Sequence, residues 1–247
     1  MSALSNEPMA PESGPAMSMV DTWIAAVTKP NEGTFARIVA QPGASASKAF
    51  LWVFVASLLT SLASLITQAV SFRGQMDLFR QFLPPEIARE LPVGAAPSIW
   101  FGTIICGTPV GALFTVLGFA IGVALVQWVA KLFGGTGSFD KLAYAFSAIT
   151  VPCSVVAAVL ALVGIIPYIG ILTGLLSFVL SIYIIVLEVL AVKAVNRLDT
   201  GKAVGAVLLP GLVIALLVCC CVIAVVAMMG PMIGDVFDSI NQSLGGF

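Results

Sequence analysis

Phe139–Val195 reads FDKLAYAFSAITVPCSVVAAVLALVGIIPYIGILTGLLSFVLSIYIIVLEVLAVKAV and contains two long apolar runs. The runs, Leu142–Val163 and Tyr168–Leu190, are separated only by the short turn Gly164–Pro167. Each run exceeds the roughly 20 apolar residues that a helix needs to cross a bilayer. Because so short a turn allows only an antiparallel arrangement, the sequence predicts a helical membrane hairpin at the centre of a protein with several spans.

The composition of the whole chain agrees with a membrane protein. Of its 247 residues, 60% are hydrophobic and only 9% are charged, whereas soluble domains carry about 25% charged residues. So little charge cannot cover a water-facing surface, and a lipid bilayer is expected as the main partner of the chain. The net charge of −1 argues against nucleic acid as a partner, because binding to phosphates requires a basic surface.

Further apolar runs flank the hairpin, and the predicted fold is an all-α, polytopic bundle of five transmembrane helices. The predicted spans cover about 48–70, 104–132, 142–163, 168–190 and 203–229, within a membrane domain of residues 44–230. Residues 1–18 are expected to form a disordered tail, because they are polar and lack periodicity, and residues 231–247 an external tail. Pro109 predicts that the second helix begins near Thr108 or kinks there, and Gly230-Pro231 is expected to end the last one.

Two short amphipathic helices are predicted before the first span, in residues 19–43. Apolar residues recur there at helical spacing, namely Val20, Trp23, Ile24 and Val27 in the first helix and Phe35, Ile38 and Val39 in the second. Neither helix is long enough to span, which favours helices that lie at the membrane interface with Trp23 at headgroup level. The alternative is a pair of small helices packed on the protein's own loops. Ser45 or Ser47 can cap the span that follows.

Stripes of small residues follow one face of several spans. They include Gly111, Thr115, Gly118 and Gly122 in the second span and Gly170, Thr173, Gly174, Ser177 and Ser181 in the fourth. Small residues let helix backbones approach closely, so these positions are predicted to pack helices together. In the first span, polar side chains between Ser57 and Gln68 also share a face. That face indicates either helix packing, with hydroxyls bonded to their own helix, or a polar pathway.

Glu188 is the acidic residue deep in an apolar run, seven residues after Ser181 and therefore on the same helical face. Burying a carboxylate within a membrane span costs free energy, so a functional role is the default hypothesis for such a residue. One interpretation is a buried acid that makes a protonatable contact with a partner. The other is an interfacial carboxylate that reaches water or pairs with Lys193.

Little in the sequence indicates catalysis. The chain has no histidine, which removes the commonest general base and metal ligand, and the spans contain no paired acids. Cys219, Cys220 and Cys221 could suggest a metal or redox site, but successive helical residues point about 100° apart and cannot converge on one ion. The sequence therefore predicts a protein that is not an enzyme and has no cofactor and no metal.

The basic residues favour one orientation. Of the 11 basic residues, the five-span plan places eight on the side of the N-terminus and three on the other side. The eight are Lys29, Arg37, Lys48, Lys131, Lys141, Lys193, Arg197 and Lys202. Because cytoplasmic loops carry an excess of Lys and Arg, we expect a multi-pass protein of the cell membrane with a cytoplasmic N-terminus and an external C-terminus.

Several short motifs occur in order along these predicted elements. They are Trp23 with Lys29-Pro30, Thr34-Phe35, Arg37-Ile38 and Pro42-Gly43; Gly137-Ser138-Phe139-Asp140-Lys141 with Tyr144-Ala145-Phe146-Ser147 and Pro152; Ile165-Ile166-Pro167-Tyr168-Ile169-Gly170; and Leu198-Asp199-Thr200-Gly201-Lys202-Ala203. The set resembles the Yip-domain (Ypt/Rab-interacting) family of five-span membrane proteins over about residues 20–230. In particular, the chain looks like a prokaryotic member.

The resemblance implies no enzyme chemistry. The family is named for binding Ypt/Rab GTPases, and its eukaryotic members act in vesicle traffic between endoplasmic reticulum and Golgi. Those members carry a long cytosolic N-terminal domain and an Asp-Leu-Tyr-Gly-Pro type motif before the spans. This chain has neither, so GTPase binding is not among the expectations for it.

Two functions stay open at this point. One is a scaffold or an assembly or trafficking factor that contacts other membrane proteins, or itself, through helix–helix packing. The other is a transporter or channel subunit for ions or small solutes that uses a polar path between helices and Glu188. An intramembrane enzyme is disfavoured, because the chain lacks an evident nucleophile–base pair.

Overall fold

The computed structural model describes residues 17–81, 106–166 and 168–244, and all regular secondary structure in these ranges is helical. This part of the chain contains seven helices: α1 (Met19–Thr28), α2 (Glu32–Val39), α3 (Ala46–Gln81), α4 (Thr108–Leu132), α5 (Phe139–Val163), α6 (Ile169–Asn196) and α7 (Thr200–Leu244). Five helices are long and apolar enough to cross a membrane, and their candidate spans are Ala46–Ser71, Thr108–Leu132, Phe139–Val163, Ile169–Asn196 and Thr200–Gly230. The predicted all-α, five-span class is confirmed.

The prolines affect the helix ends in different ways. α4 begins at Thr108 and holds Pro109 in its first turn, where the missing N–H would have no helical partner. In contrast, α7 continues past Gly230 and Pro231 to Leu244, so the predicted end of the last helix is wrong. A proline removes one backbone donor, and a long apolar helix tolerates that loss when local adjustments satisfy the freed carbonyl. The predicted tail at residues 1–18 lies almost wholly outside the described residues, as do residues 104–105 of the predicted second span.

Short polar side chains fix the starts of four helices. The side-chain oxygens of Ser18, Asn31, Ser45 and Ser138 accept hydrogen bonds from the backbone N–H groups of Asp21, Thr34, Lys48 and Lys141 at 3.2, 2.7, 3.4 and 3.4 Å. These contacts satisfy N–H groups that have no partner within the helix. Of the two predicted caps for the first span, Ser45 is the one that the structure uses.

Most buried side chains lie at one end of the bundle, here called the packed end. It comprises the first turns of α3, α5 and α7, the last turns of α4 and α6, and the helices α1 and α2. Every residue from Leu142 to Ile149 of α5 is buried. α5 lies between α3 and α6, and α1 and α2 both pack against it.

The other end of the helices, here called the open end, exposes large apolar side chains. Such residues occupy Val155–Val163 of α5, Ile169–Val186 of α6 and Leu208–Met229 of α7. From Gly211 to Gly230, every residue of α7 is exposed. An aqueous protein could not expose this much apolar surface, so this half of the bundle fits a lipid environment.

The two short helices dock on the packed end. α2 buries Thr34, Phe35, Ile38 and Val39, and it packs against α6 and α5. The predicted apolar face of α2 is therefore confirmed, but it faces the bundle and not the membrane surface. The predicted apolar face of α1 is divided into residues that pack on the core, Trp23 and Val27, and residues that are exposed, Val20 and Ile24.

Candidate functional site

The small-residue stripe of α4 faces away from the rest of the chain. A methyl group placed on Gly111, Gly118 or Gly122 would meet nothing within 4 Å, and Thr115 is exposed. Within the chain, α4 packs through a neighbouring face that carries Ala112 and other buried residues. For α4, the expectation that the stripe joins the spans of this chain to one another is therefore wrong. A role in packing against another chain stays a prediction.

The stripe of α6 has two parts. Near the hairpin turn it is closely packed, because a methyl group on Gly170 would lie 3.0 Å from the carbonyl oxygen of Gly164. Further along the helix, Ser177 and Ser181 are exposed and a methyl group on Gly174 would meet nothing within 4 Å. The first part closes the turn between α5 and α6, and the second part faces outward as the stripe of α4 does.

The hydroxyl groups of α3 are bonded to their own helix. Those of Ser57, Thr60, Ser64 and Thr67 donate to backbone carbonyls three or four residues earlier, at 2.8, 3.2, 3.0 and 2.9 Å. Of these four residues only Ser57 is buried. Hydroxyls satisfied in this way need no water-filled surroundings, which favours the packing interpretation of this face over the polar pathway.

Glu188 lies on α6 at the border between the packed end and the open end, and it is partly buried. It forms no hydrogen bond or ion pair with another described residue. Lys193, its predicted partner, instead forms an ion pair with Glu32 of α2 at 3.1 Å. The predicted pairing is wrong because residues five apart on a helix point about 140° away from each other. The neighbour across the hairpin is Cys153 of α5, which is close enough to the carboxylate to interact with it electrostatically.

A buried amide network, which the sequence reasoning missed, joins three parts of the packed end. The Nε2 of Gln127 on α4 donates to the carbonyl oxygen of Gly137 at 2.8 Å and to Oδ1 of Asn196 on α6 at 3.0 Å. The same Oδ1 accepts from the backbone N–H of Gly137 at 3.1 Å, and Nδ2 of Asn196 donates to Oε1 of Gln127 at 3.2 Å. The position of Gln127 within an apolar run was the available signal, since a buried amide requires partners.

An aromatic cluster joins α1 to the spans. Trp23 of α1 makes an edge contact with Trp52 of α3 at 5.5 Å between ring centroids, and Trp52 contacts Tyr144 of α5 at 5.0 Å. On the far side of α1, the hydroxyl of Tyr183 on α6 donates to the carbonyl oxygen of Val27 at 2.5 Å. These contacts hold α1 between α3, α5 and α6.

Neither the cysteines nor the acids form a metal site in the part of the chain that the structure describes. No group of three potential ligands lies together there. Cys219, Cys220 and Cys221 are all exposed on the open half of α7.

The model of one protein family, the Yip1 domain, matches residues 24–223, which are 200 of the 247 residues and reach from α1 into α7. The chain belongs to the Yip1 domain family. No curated protein and no solved structure matches it.

Most of the motifs that resemble those of Yip1-domain proteins build the packed end, whereas Ile165–Gly170 lies at the hairpin turn of the open end. Phe35 and Ile38 are fully buried, and Ser138 caps α5. Gly137 is pressed against Asn196, since a methyl group there would lie 2.7 Å from Oδ1, and Leu198 is buried before α7. In this Yip1-domain protein, the recognisable residues pack and cap helices.

Proposed function

We propose that this Yip1-domain protein is a non-enzymatic scaffold, or an assembly or trafficking factor, that binds other membrane proteins or a second copy of itself. The observation that carries the proposal is the outward orientation of the α4 stripe. Gly111, Gly118 and Gly122 have the spacing that lets another helix approach closely, and a methyl group on any of them would meet no described residue within 4 Å.

The proposed orientation places the packed end in the cytoplasm. Exposed basic residues support it: Lys29, Arg37, Lys48, Lys131, Lys141, Arg197 and Lys202 all lie at this end. An excess of Lys and Arg is typical of the cytoplasmic side of a membrane protein. The C-terminus is then external, and the membrane is the cell membrane.

The proposal is tested by filling the α4 stripe. In the double variant Gly118→Ile, Gly122→Ile, two branched side chains would hold a neighbouring helix away. We expect loss of self-association or of co-purified membrane proteins in mild detergent, measured by light scattering and quantitative mass spectrometry, with an unchanged melting temperature. Leu117→Ile is the matched control, because Leu117 is exposed on a different face of α4. If the double variant keeps the same mass and the same co-purified proteins, the scaffold proposal is wrong.

A transporter or channel subunit is the second candidate, and the position of Glu188 favours it. The carboxylate is partly buried in a span and is not paired with another described residue, as expected of an acid that binds a cation or a proton during transport. Liposomes that contain the purified protein would then show ion or proton flux, and Glu188→Gln would abolish it. Flux that is absent, or equal in the Gln variant, excludes this role for Glu188.

A further inference from the structure

The hairpin of α5 and α6 provides a depth scale for the membrane. Its turn follows Val163, and the two helices run antiparallel to the packed end, where the backbone N–H of Gly137, just before α5, donates to Oδ1 of Asn196 on α6. Gly137 and Asn196 are both about 40 Å from the turn when residues are counted along their own helices. At about 1.5 Å per residue and with a hydrocarbon core of about 30 Å, depth can be counted from the turn. Tyr144 then lies about 28 Å from the turn, and Tyr183 lies about 21 Å from it.

This scale places the two ends of α1 at different depths. Thr22 lies beside Tyr144, which is near the membrane boundary at the packed end. Val27 receives the hydroxyl of Tyr183, which is about 9 Å inside that boundary on the same scale. Five helical residues advance about 7.5 Å, which agrees with the difference of about 7 Å between the two tyrosines. α1 therefore descends into the membrane and does not lie flat on it.

The chain then returns to the surface before α2 begins. Glu32, the first residue of α2, pairs with Lys193, which is about 36 Å from the turn and so about 6 Å outside the hydrocarbon core.

One carbonyl group at the end of α1 has a partner suited to lipid. The carbonyl oxygen of Val27 lies in the last turn, where the helix supplies no N–H partner, and it accepts from the hydroxyl of Tyr183. In water this group would need no such partner, whereas in hydrocarbon an unpaired carbonyl is costly.

The outer edge of α1 carries three large apolar residues and is continuous with the lipid-facing surface of the spans. It also exposes Asp21 in its first turn, next to Thr22 and so near the membrane boundary. Met19, Val20 and Ile24 are 45%, 52% and 54% exposed. Trp23, next to Ile24, contacts Trp52, whose neighbour Leu51 begins the exposed apolar face of α3. The outer face of α2 differs, since it presents Ala36 and Arg37.

We propose that α1 is inserted into the membrane leaflet at the packed end, and that lipid acyl chains cover Met19, Val20 and Ile24. Lys29 extends from the end of α1 towards the headgroups, and the outer face of α2 stays in water. The contact is independent of the proposed scaffold function, because it involves neither α4 nor the small-residue stripe of α6.

The test is a measurement of depth on the full-length protein in lipid bilayers. Nitroxide labels are attached at Val20→Cys, Ile24→Cys and, as the matched control, Ala36→Cys, in a variant with serine at the five native cysteines. Collision with oxygen, which concentrates in hydrocarbon, is compared with collision with a water-soluble nickel chelate by electron paramagnetic resonance. We expect oxygen collisions to dominate at Ile24, with a smaller excess at Val20, and nickel collisions to dominate at Ala36.

Two results would overturn the proposal. Dominant nickel collisions at Ile24 would place α1 in water. An immobile label at Ile24 that neither reagent reaches would mean that a protein surface, from a second copy or another partner, covers the edge in place of lipid. Labelled variants that keep the circular dichroism spectrum and melting temperature of the unlabelled protein establish that the fold is intact.

Discussion

The two halves of α5 belong to one predicted span and have opposite surroundings. From Leu142 to Ile149 every side chain is buried within the chain. Val155, Val156, Val159 and Val163, about two to four turns later, are 40% to 54% exposed. The first half contains small and polar residues that fit between neighbouring helices, whereas the second is a valine-rich surface for lipid. Both segments lie in one apolar run, so the length of the run identifies the span, but it does not tell its protein-packed part from its lipid-facing part.

The packed end thus holds the protein together, and the open end leaves the spans available to lipid or to other helices. Substitutions at the packed end should change stability, whereas those at the open end should leave the single chain intact and change what it binds. The following predictions test this division, in order of decreasing effect.

Gly137→Ala should have the largest effect on stability. The new methyl group would lie 2.7 Å from the carbonyl oxygen of Val195 and 2.7 Å from Oδ1 of Asn196, so backbone and amide network must both shift. A loss of at least about 3 kcal/mol is expected, the size typical of overpacking combined with a broken buried network. Unfolding in detergent measures it. Gly118→Ala is the control, because the space around Gly118 is open and the change to alanine favours a helix. Equal stability of the two variants would contradict the view that the packed end holds the chain together.

Tyr183→Phe should weaken the attachment of α1. It removes the hydroxyl that donates to Val27 and leaves a carbonyl group without that partner at lipid depth, with an expected cost of about 1 to 2 kcal/mol. Limited proteolysis at residues 28–31 should become faster, and the melting temperature should fall. Tyr168→Phe serves as the control, since Tyr168 is 93% exposed at the hairpin turn. If both variants behave alike, the hydroxyl of Tyr183 is not what holds α1.

Thr34→Val should stabilise the protein. Thr34 is buried on α2, and its hydroxyl has no hydrogen-bond partner among the described residues, so valine of the same shape removes an unsatisfied polar group and contributes about 1 kcal/mol. Thr22→Val should have the opposite sign, because the equally buried Thr22 donates to the carbonyl oxygen of Ser18 at 2.9 Å and accepts from Gln41. Thermal unfolding of the two variants in the same detergent compares them. A decrease in stability for both would mean that Thr34 has a partner.

Glu32→Gln should have the smallest effect. The ion pair with Lys193 is partly exposed, at 53% and 29% for the two side chains, and such pairs contribute about 0.5 kcal/mol or less. The effect should disappear at high salt, because exposed charges are screened. A loss several times larger that persists in high salt would show that the pair is shielded from solvent.

The spans and caps could be predicted because their signals are local. Long apolar runs give the five helices, and Ser45 and the turn around Ser138 lie where caps are expected. The amide network of Gln127 and Asn196 could not be predicted, since its partners are 69 residues apart in the chain. The α4 stripe was assigned to contacts within the chain because a small-residue face does not reveal which helix it meets. The prediction that Gly230-Pro231 ends the last helix was wrong, because the loss of one backbone N–H donor did not stop the helix there.

The central claim is that the packed end is shielded by the chain itself and the open end is not. An apolar diazirine dissolved in the bilayer labels side chains that contact lipid, and mass spectrometry of the unmodified sequence locates the label along α5. The account predicts labelling within Val155–Val163 and none within Leu142–Ile149. Labelling spread evenly along both segments, or confined to Leu142–Ile149, would contradict it.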